Sequence, residues 1–161
     1  MFKRIIVALD GSECASRAFD VALGLARSSG ASIGICSVVD PILIAGTAPP
    51  GPALDILLTE KENAARRRVE TAVERARSAG LDAGGSSVRG LASDEILRYA
   101  HRERADAIVM GTHGRSGVKR FVMGSVAEHV VRQAACPVIV VRTEEERNRH
   151  ETAHTLAKAT V

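Results

Sequence analysis

The chain has 161 residues, 45% of them apolar and 25% charged, which describes one globular domain and excludes a mainly disordered polymer. The four aromatic residues, Phe2, Phe19, Tyr99 and Phe121, make no stacking platform for single-stranded nucleic acid, and a net charge of +3 is too slight for wrapping DNA or holding an anionic membrane. Cys14, Cys36 and Cys136 are odd in number and form no CxxC pair, which argues against a disulfide framework or a cysteine-rich zinc site and suits a reducing compartment.

Lys3 and Arg4 are followed by five apolar residues before Asp10. That run is too short for a signal-peptide core, and no apolar run approaches the ~20 residues of a membrane span. A cytoplasmic protein is expected. The same run, Ile5 to Leu9, reads as a strand covered on both faces. Ala15, Ala18, Phe19, Ala22, Leu23 and Ala26 then recur at helical spacing, and Gly30 can close that helix. A second strand is expected over Ile33 to Val39. The segment from Asp40 to Asp55 holds four of the five prolines. A connection that long is either a lid or an exposed insertion without function.

The next helix runs to about Ala79, with Leu58, Ala65, Val69, Ala72, Val73 and Ala76 as its buried stripe. Its arginines, Arg66-Arg67-Arg68 with Arg75 and Arg77, alternate with glutamates and read as a solvated face. Ser86 to Val88 is a weak third strand, diluted by Gly84 and Gly85. Ser93 is the cap candidate for a helix carrying Ile96, Leu97 and Ala100. Ala107 to Met110 is a fourth strand. Val126, Ala127, Val130, Val131 and Ala134 mark a fourth helix that stops before Pro137. Val138 to Val141 is a fifth strand. Alternating β and α with apolar strands predicts an α/β fold, an open parallel five-stranded sheet with helices on both faces and order 3-2-1-4-5. The domain would span 1–142, with a polar tail over 143–161.

In such sheets ligands bind beyond the carboxyl ends of the strands, where the order reverses. Asp10-Gly11-Ser12, Val39-Asp40 and the segment Gly111 to Ser125 are therefore the places to look. The last is glycine-rich and basic, and it ends at a helix start. Glycines let backbone N–H groups approach a ligand, and a helix N-terminus favours phosphate. Arg115, Lys119 and Arg120 add positive charge. The alternative is plain turn chemistry. His113 either contacts phosphate or fixes loop geometry. His129 reads as a surface residue, and His150 and His154 have i,i+4 spacing without an evident third metal ligand. Cys14 lies near a helix N-terminus, where a thiolate is stabilised; an inert packed thiol is the simpler reading.

The spacing Gly111-x2-Gly114-x9-Gly124-Ser125 resembles the ATP-binding branch of the universal stress protein family. Ile5 to Ser12, Ala105 to Gly114, Gly124 to Glu128 and Cys136 to Val141 resemble further blocks of that family, in order. The resemblance implies that Asp10 lies near the adenosine half of a nucleotide and that Ala8 and Val38 line an adenine pocket. Met110, Gly111 and Gly114 would run beside ribose and phosphates, and Gly124, Ser125 and Val126 would grip phosphate. Ala8 departs from members that carry proline there, and Ala127 from those with a hydroxyl residue. The implied function is an ATP-binding regulatory module of stress adaptation, with Mg2+ or Mn2+, homodimeric through Val138–Val141. No nucleic acid or membrane partner is expected. A slow ATP hydrolase is the first alternative, although no dedicated base stands out and no GxxxxGK[ST] sequence is present. A ligand-free dimeric scaffold is the second, since an apolar edge strand invites pairing.

Overall fold

The computed structural model describes residues 1–47, 50–114 and 123–143. Its elements in chain order are β1 (Arg4–Ala8), α1 (Glu13–Ser29), β2 (Ser32–Val39), α2 (Pro41–Ala45), α3 (Pro52–Ser78), β3 (Ala83–Arg89), α4 (Ala92–Arg102), β4 (Ala107–Gly111), α5 (Ser125–Gln133) and β5 (Val138–Val141). The strands form a parallel sheet in the order β3-β2-β1-β4-β5, as expected from the alternating pattern. Among the described residues, no helix is long and apolar enough to cross a membrane.

Alternation along the strands sends side chains to two separate cores. Ile5, Val7, Ile33, Ile35 and Val109 face α1 and α3. Ile6, Cys36, Ile108 and Met110 face α4 and α5. Ala18, Ala22 and Ala26 have no exposed surface, so α1 lies close to the sheet through its smallest side chains. Ser12 caps α1 by accepting from Ala15 N–H, and Gly30 ends it in the left-handed conformation at φ 69°. The start of β1 is tied across the sheet: one Asp106 oxygen accepts from Lys3 N–H at 2.7 Å and Arg4 N–H at 2.8 Å. Those bonds hold the Asp106 carboxyl below its ordinary value.

Five local readings need correction. Residues 40–55 are not one long excursion. Pro41–Ala45 form α2, and α3 starts at Pro52, a first-turn position that suits proline. The third strand is longer than 86–88. Gly85 belongs to it because a Cβ there would stand 2.6 Å from Ile35 O and 2.7 Å from Val69 Cγ1; its bareness lets α3 reach the sheet. Ser93 does not cap α4. It is buried, Leu91 takes the cap position, and Ala92 N–H donates instead to Asp40 Oδ2 at 3.3 Å. Val131 is 43% exposed, off the buried stripe of α5, and Val73 is only partly buried.

Gly85→Ala should cost about 1–3 kcal/mol, the range for forcing atoms into a filled space. Gly84→Ala, where no atom lies within 4 Å, should be neutral or mildly stabilising. Urea midpoints of the two variants check this, and equal midpoints would refute the packing account of Gly85. The lowered pKa of Asp106 means that its contribution is present above the ordinary value of 3.8 and is lost as pH falls through the folded value. Asp106→Asn should therefore unfold more easily than the wild type near neutral pH, and the gap should shrink in acid. Thermal melts across that window test the sign.

Candidate functional site

The sheet reverses order between β1 and β4, which pair directly, Ile5 with Ala107 and Val7 with Val109. The chain leaves β1 for α1 on one face and leaves β4 for α5 on the other. The place where sheets of this kind take ligands is therefore beyond the carboxyl ends of these two strands.

Asp10 stands on one side of it. Its Oδ1 accepts from Ser12 N–H at 2.9 Å and Ser12 Oγ–H at 2.6 Å. The turn between them needs Gly11, whose φ is +88°. The other carboxylate oxygen faces Gly114: a Cβ on that residue would stand 2.8 Å from Asp10 Oδ2. Two loops separated by 103 intervening residues thus meet at a carboxylate and a glycine.

The loop after β4 is held at both ends by Thr112, which is 5% exposed. Its N–H donates to Val141 O at 2.9 Å, and its carbonyl accepts from Gly124 N–H at 2.9 Å. Gly124 takes the cap position of α5 and provides no side-chain cap. The first-turn N–H groups of α5 are therefore without a side-chain acceptor at the cap position. Gly124 also fits closely, since a Cβ would lie 3.1 Å from Thr112 O.

On the α4/α5 face, the partly buried Ala8, Val38, Val88, Met123 and Val126 gather around the buried Cys36 and Met110. They make an apolar flank beside the carboxyl ends of β1, β2 and β4. Ala8 pairs with Cys36 and Val38 with Val88. Burial, aided by Glu95 and opposed by Arg102, pushes the Cys36 thiol up to about 12. It is a packed, protonated thiol and not a nucleophile at neutral pH. At the far end of β2, Asp40 Oδ1 accepts from Ile42 N–H at 3.0 Å and Leu43 N–H at 3.4 Å, while its Oδ2 serves α4.

The predicted residues are thus brought together in part. Asp10 meets Gly114, and Ala8, Val38, Met110 and Val126 share one face. Gly111 points the other way, toward α1: a Cβ there would stand 2.6 Å from Cys14 Cβ. Ser125 opens α5 and is exposed. Arg115, Lys119 and Arg120 lie outside the described residues. Among those described, no group of three His, Cys, Asp or Glu side chains is placed to hold a metal ion. The sequence marks Asp40 and Thr112 only as residues that follow strands, and the reading of Arg68 as part of a solvated face is corrected: it is half-buried and bonded to Ser37. For Arg68 the signal was helical phase: it follows Ala65 by three residues and precedes Ala72 by four, beside the buried stripe.

The strand order, reversing between β1 and β4, defines a doubly wound α/β protein, a class whose ligands bind at the switch point. Within that class, the model of the universal stress protein family matches residues 1–142, and the chain belongs to that family. A universal stress protein of Methanocaldococcus jannaschii is 33% identical over 144 residues, covering 88% of this chain and 83% of the relative. The structure of universal stress protein UspA from Lactobacillus plantarum superposes with a TM-score of 0.73 at 28% identity, covering 87% and 97% of the two chains. A universal stress protein in complex with cAMP matches with a TM-score of 0.65 at 28% identity over 89% and 99%. The universal stress protein from Archaeoglobus fulgidus in complex with dAMP matches at 0.59 and 26% over 86% and 97%.

Proposed function

We propose that this chain is an ATP-binding regulatory module in stress adaptation. The observation that carries the reading is the meeting of Asp10 and Gly114 at the switch point. It sets a carboxylate beside bare backbone, next to an apolar flank on one side and a helix N-terminus on the other. Adenine would lie against Ala8 and Val38, and Asp10 would accept a ribose hydroxyl. The phosphates would run past Met110, Gly111 and Gly114 to the α5 start at Gly124, Ser125 and Val126, where N–H donors and the helix dipole favour anions. Arg115, Lys119 and Arg120 would add charge to the phosphate end. The cAMP and dAMP complexes of the family relatives support an adenine nucleotide as the ligand.

Binding, not turnover, is the proposed task. Asp10 already takes two hydrogen bonds from Ser12, which suits holding a ligand better than moving a proton. Mg2+ or Mn2+ would arrive with the phosphates, which supply the oxygen donors such ions require. A second copy would pair along the apolar edge strand β5, Val138–Val141. The free cysteines support a cytoplasmic placement. The domain would end near residue 142, with 143–161 as an appended tail.

Protein denatured as purified should release an adenine nucleotide, and MgATP at a hundred times its Kd should stabilise emptied protein by about 2.7 kcal/mol. Asp10→Asn should weaken ATP by about tenfold or more. Gly114→Ala should also weaken it while leaving folding nearly intact, because the atom it meets is the end of one side chain. No thermal shift with any adenine nucleotide would end this reading.

A further inference from the structure

Arg66 and Arg67 are exposed on α3, whereas Arg68 is half-buried. Its Nη1 donates to Ser37 Oγ at 2.9 Å, and Ser37, on β2, has no exposed surface. The rest of the guanidinium lies against the turn after β1. A Cβ on Gly11 would stand 2.8 Å from Arg68 Nη2 and 3.0 Å from Nε. One planar group therefore spans from Ser37 on β2 to the Asp10-Gly11-Ser12 turn. Removing an arginine head group from water is costly, and an apolar side chain of similar length would fill the gap without that cost. The Ser37 bond and the closeness to Gly11 put this fork where it can brace the turn. Gly11 links Asp10 to Ser12, and the bonds between those two residues set the direction of the carboxylate.

We propose that Arg68 is a positioning residue for ribose recognition. Anchored by Ser37, it supports the Gly11 turn and so presents the Asp10 carboxylate to the ligand. The inference rests on the nucleotide reading above and adds a residue that need not touch the ligand. Discrimination between a ribose and a sugar lacking its hydroxyls should then depend on Arg68 as well as on Asp10. Lysine cannot replace it fully, because an ammonium lacks the flat fork that reaches Ser37 and covers Gly11 together.

The test is calorimetric titration of wild type, Arg68→Met, Arg68→Lys and Ser37→Ala with MgATP and with its 2′,3′-dideoxy analogue. The wild type should prefer ATP by about tenfold or more, the scale of a hydrogen bond to a charged group. Arg68→Met should bring that ratio close to one while changing affinity for the analogue by about twofold or less. Arg68→Lys and Ser37→Ala should fall between. A purely structural arginine would lower melting temperature, or weaken both ligands alike, and leave the ratio unchanged. Should Arg68→Met fail to fold, Ser37→Ala makes the same comparison with one hydroxyl removed. Binding by the wild type with an undisturbed ratio in the variants overturns this inference alone, as does a wild-type ratio near one. No binding of either ligand by the wild type overturns the nucleotide reading and this inference with it.

Discussion

The carboxyl end of the sheet depends on how Thr112 is held. Its N–H extends the β4–β5 ladder by one step to Val141, and its carbonyl receives the Gly124 N–H. Its hydroxyl lies 3.6 Å from Cys14 Sγ in the first turn of α1. One buried residue thus joins the last strand, the start of α5 and the start of α1. Among the described residues, the Gly124 N–H to Thr112 carbonyl bond joins the start of the loop after β4 to its return at α5. Bringing two chain ends together costs entropy that a ligand would otherwise have to offset. Here the fold brings them together, so the N-terminus of α5 lies beside the end of β4.

This arrangement divides the glycines of the motif by task. Gly111 is bare toward α1, where Cys14 leaves no room for a side chain. Gly124 is bare toward the carbonyl of Thr112. Gly114 is the one of these three set against Asp10. A spacing that reads as a phosphate cradle is therefore also a packing device. Two of its glycines bring α1 and α5 close to the end of β4, and the third leaves backbone beside a carboxylate. The two roles reinforce each other, because a helix N-terminus can serve an anion only if nothing bulky separates it from the strand end.

The architecture was legible because its strands are buried on both faces and its helices on one. The first gives unbroken apolar runs and the second a 3.6-residue stripe. Both signals are local. The readings that failed depend on partners far away in the chain. Gly84-Gly85 looked like dilution of β3, yet Gly85 is small because Val69 of α3 needs its space. Ser93 satisfied the local capping rule, but α4 is capped by Asp40, 52 residues earlier. That same carboxylate also caps α2, which a run of prolines had disguised as loop. At the site, Asp10 and the glycine loop were legible from their position after strands. Their mutual contact, and the guanidinium braced behind Gly11, were not, since a run of three arginines on a helix looks solvated until its phase against the buried stripe is followed.

The two aspartates at opposite ends of β1 show what separates a structural carboxylate from a candidate binding one. Asp106 directs a single oxygen at two consecutive backbone N–H groups, Lys3 and Arg4, and so fixes where the strand begins. Asp10 also satisfies backbone, accepting from Ser12 N–H on Oδ1, and the fold sets its Oδ2 beside a glycine. Both carboxylates are placed by short-range chemistry; what differs is the residue opposite. At the amino end of the sheet the neighbouring strand supplies donors from its own main chain. At the carboxyl end the chain supplies a residue with no side chain, braces the turn with Arg68 and Ser37, and flanks it with half-buried Ala8 and Val38. Rigid support behind a polar group, with bare backbone in front of it, is the combination that a preorganised ligand site requires.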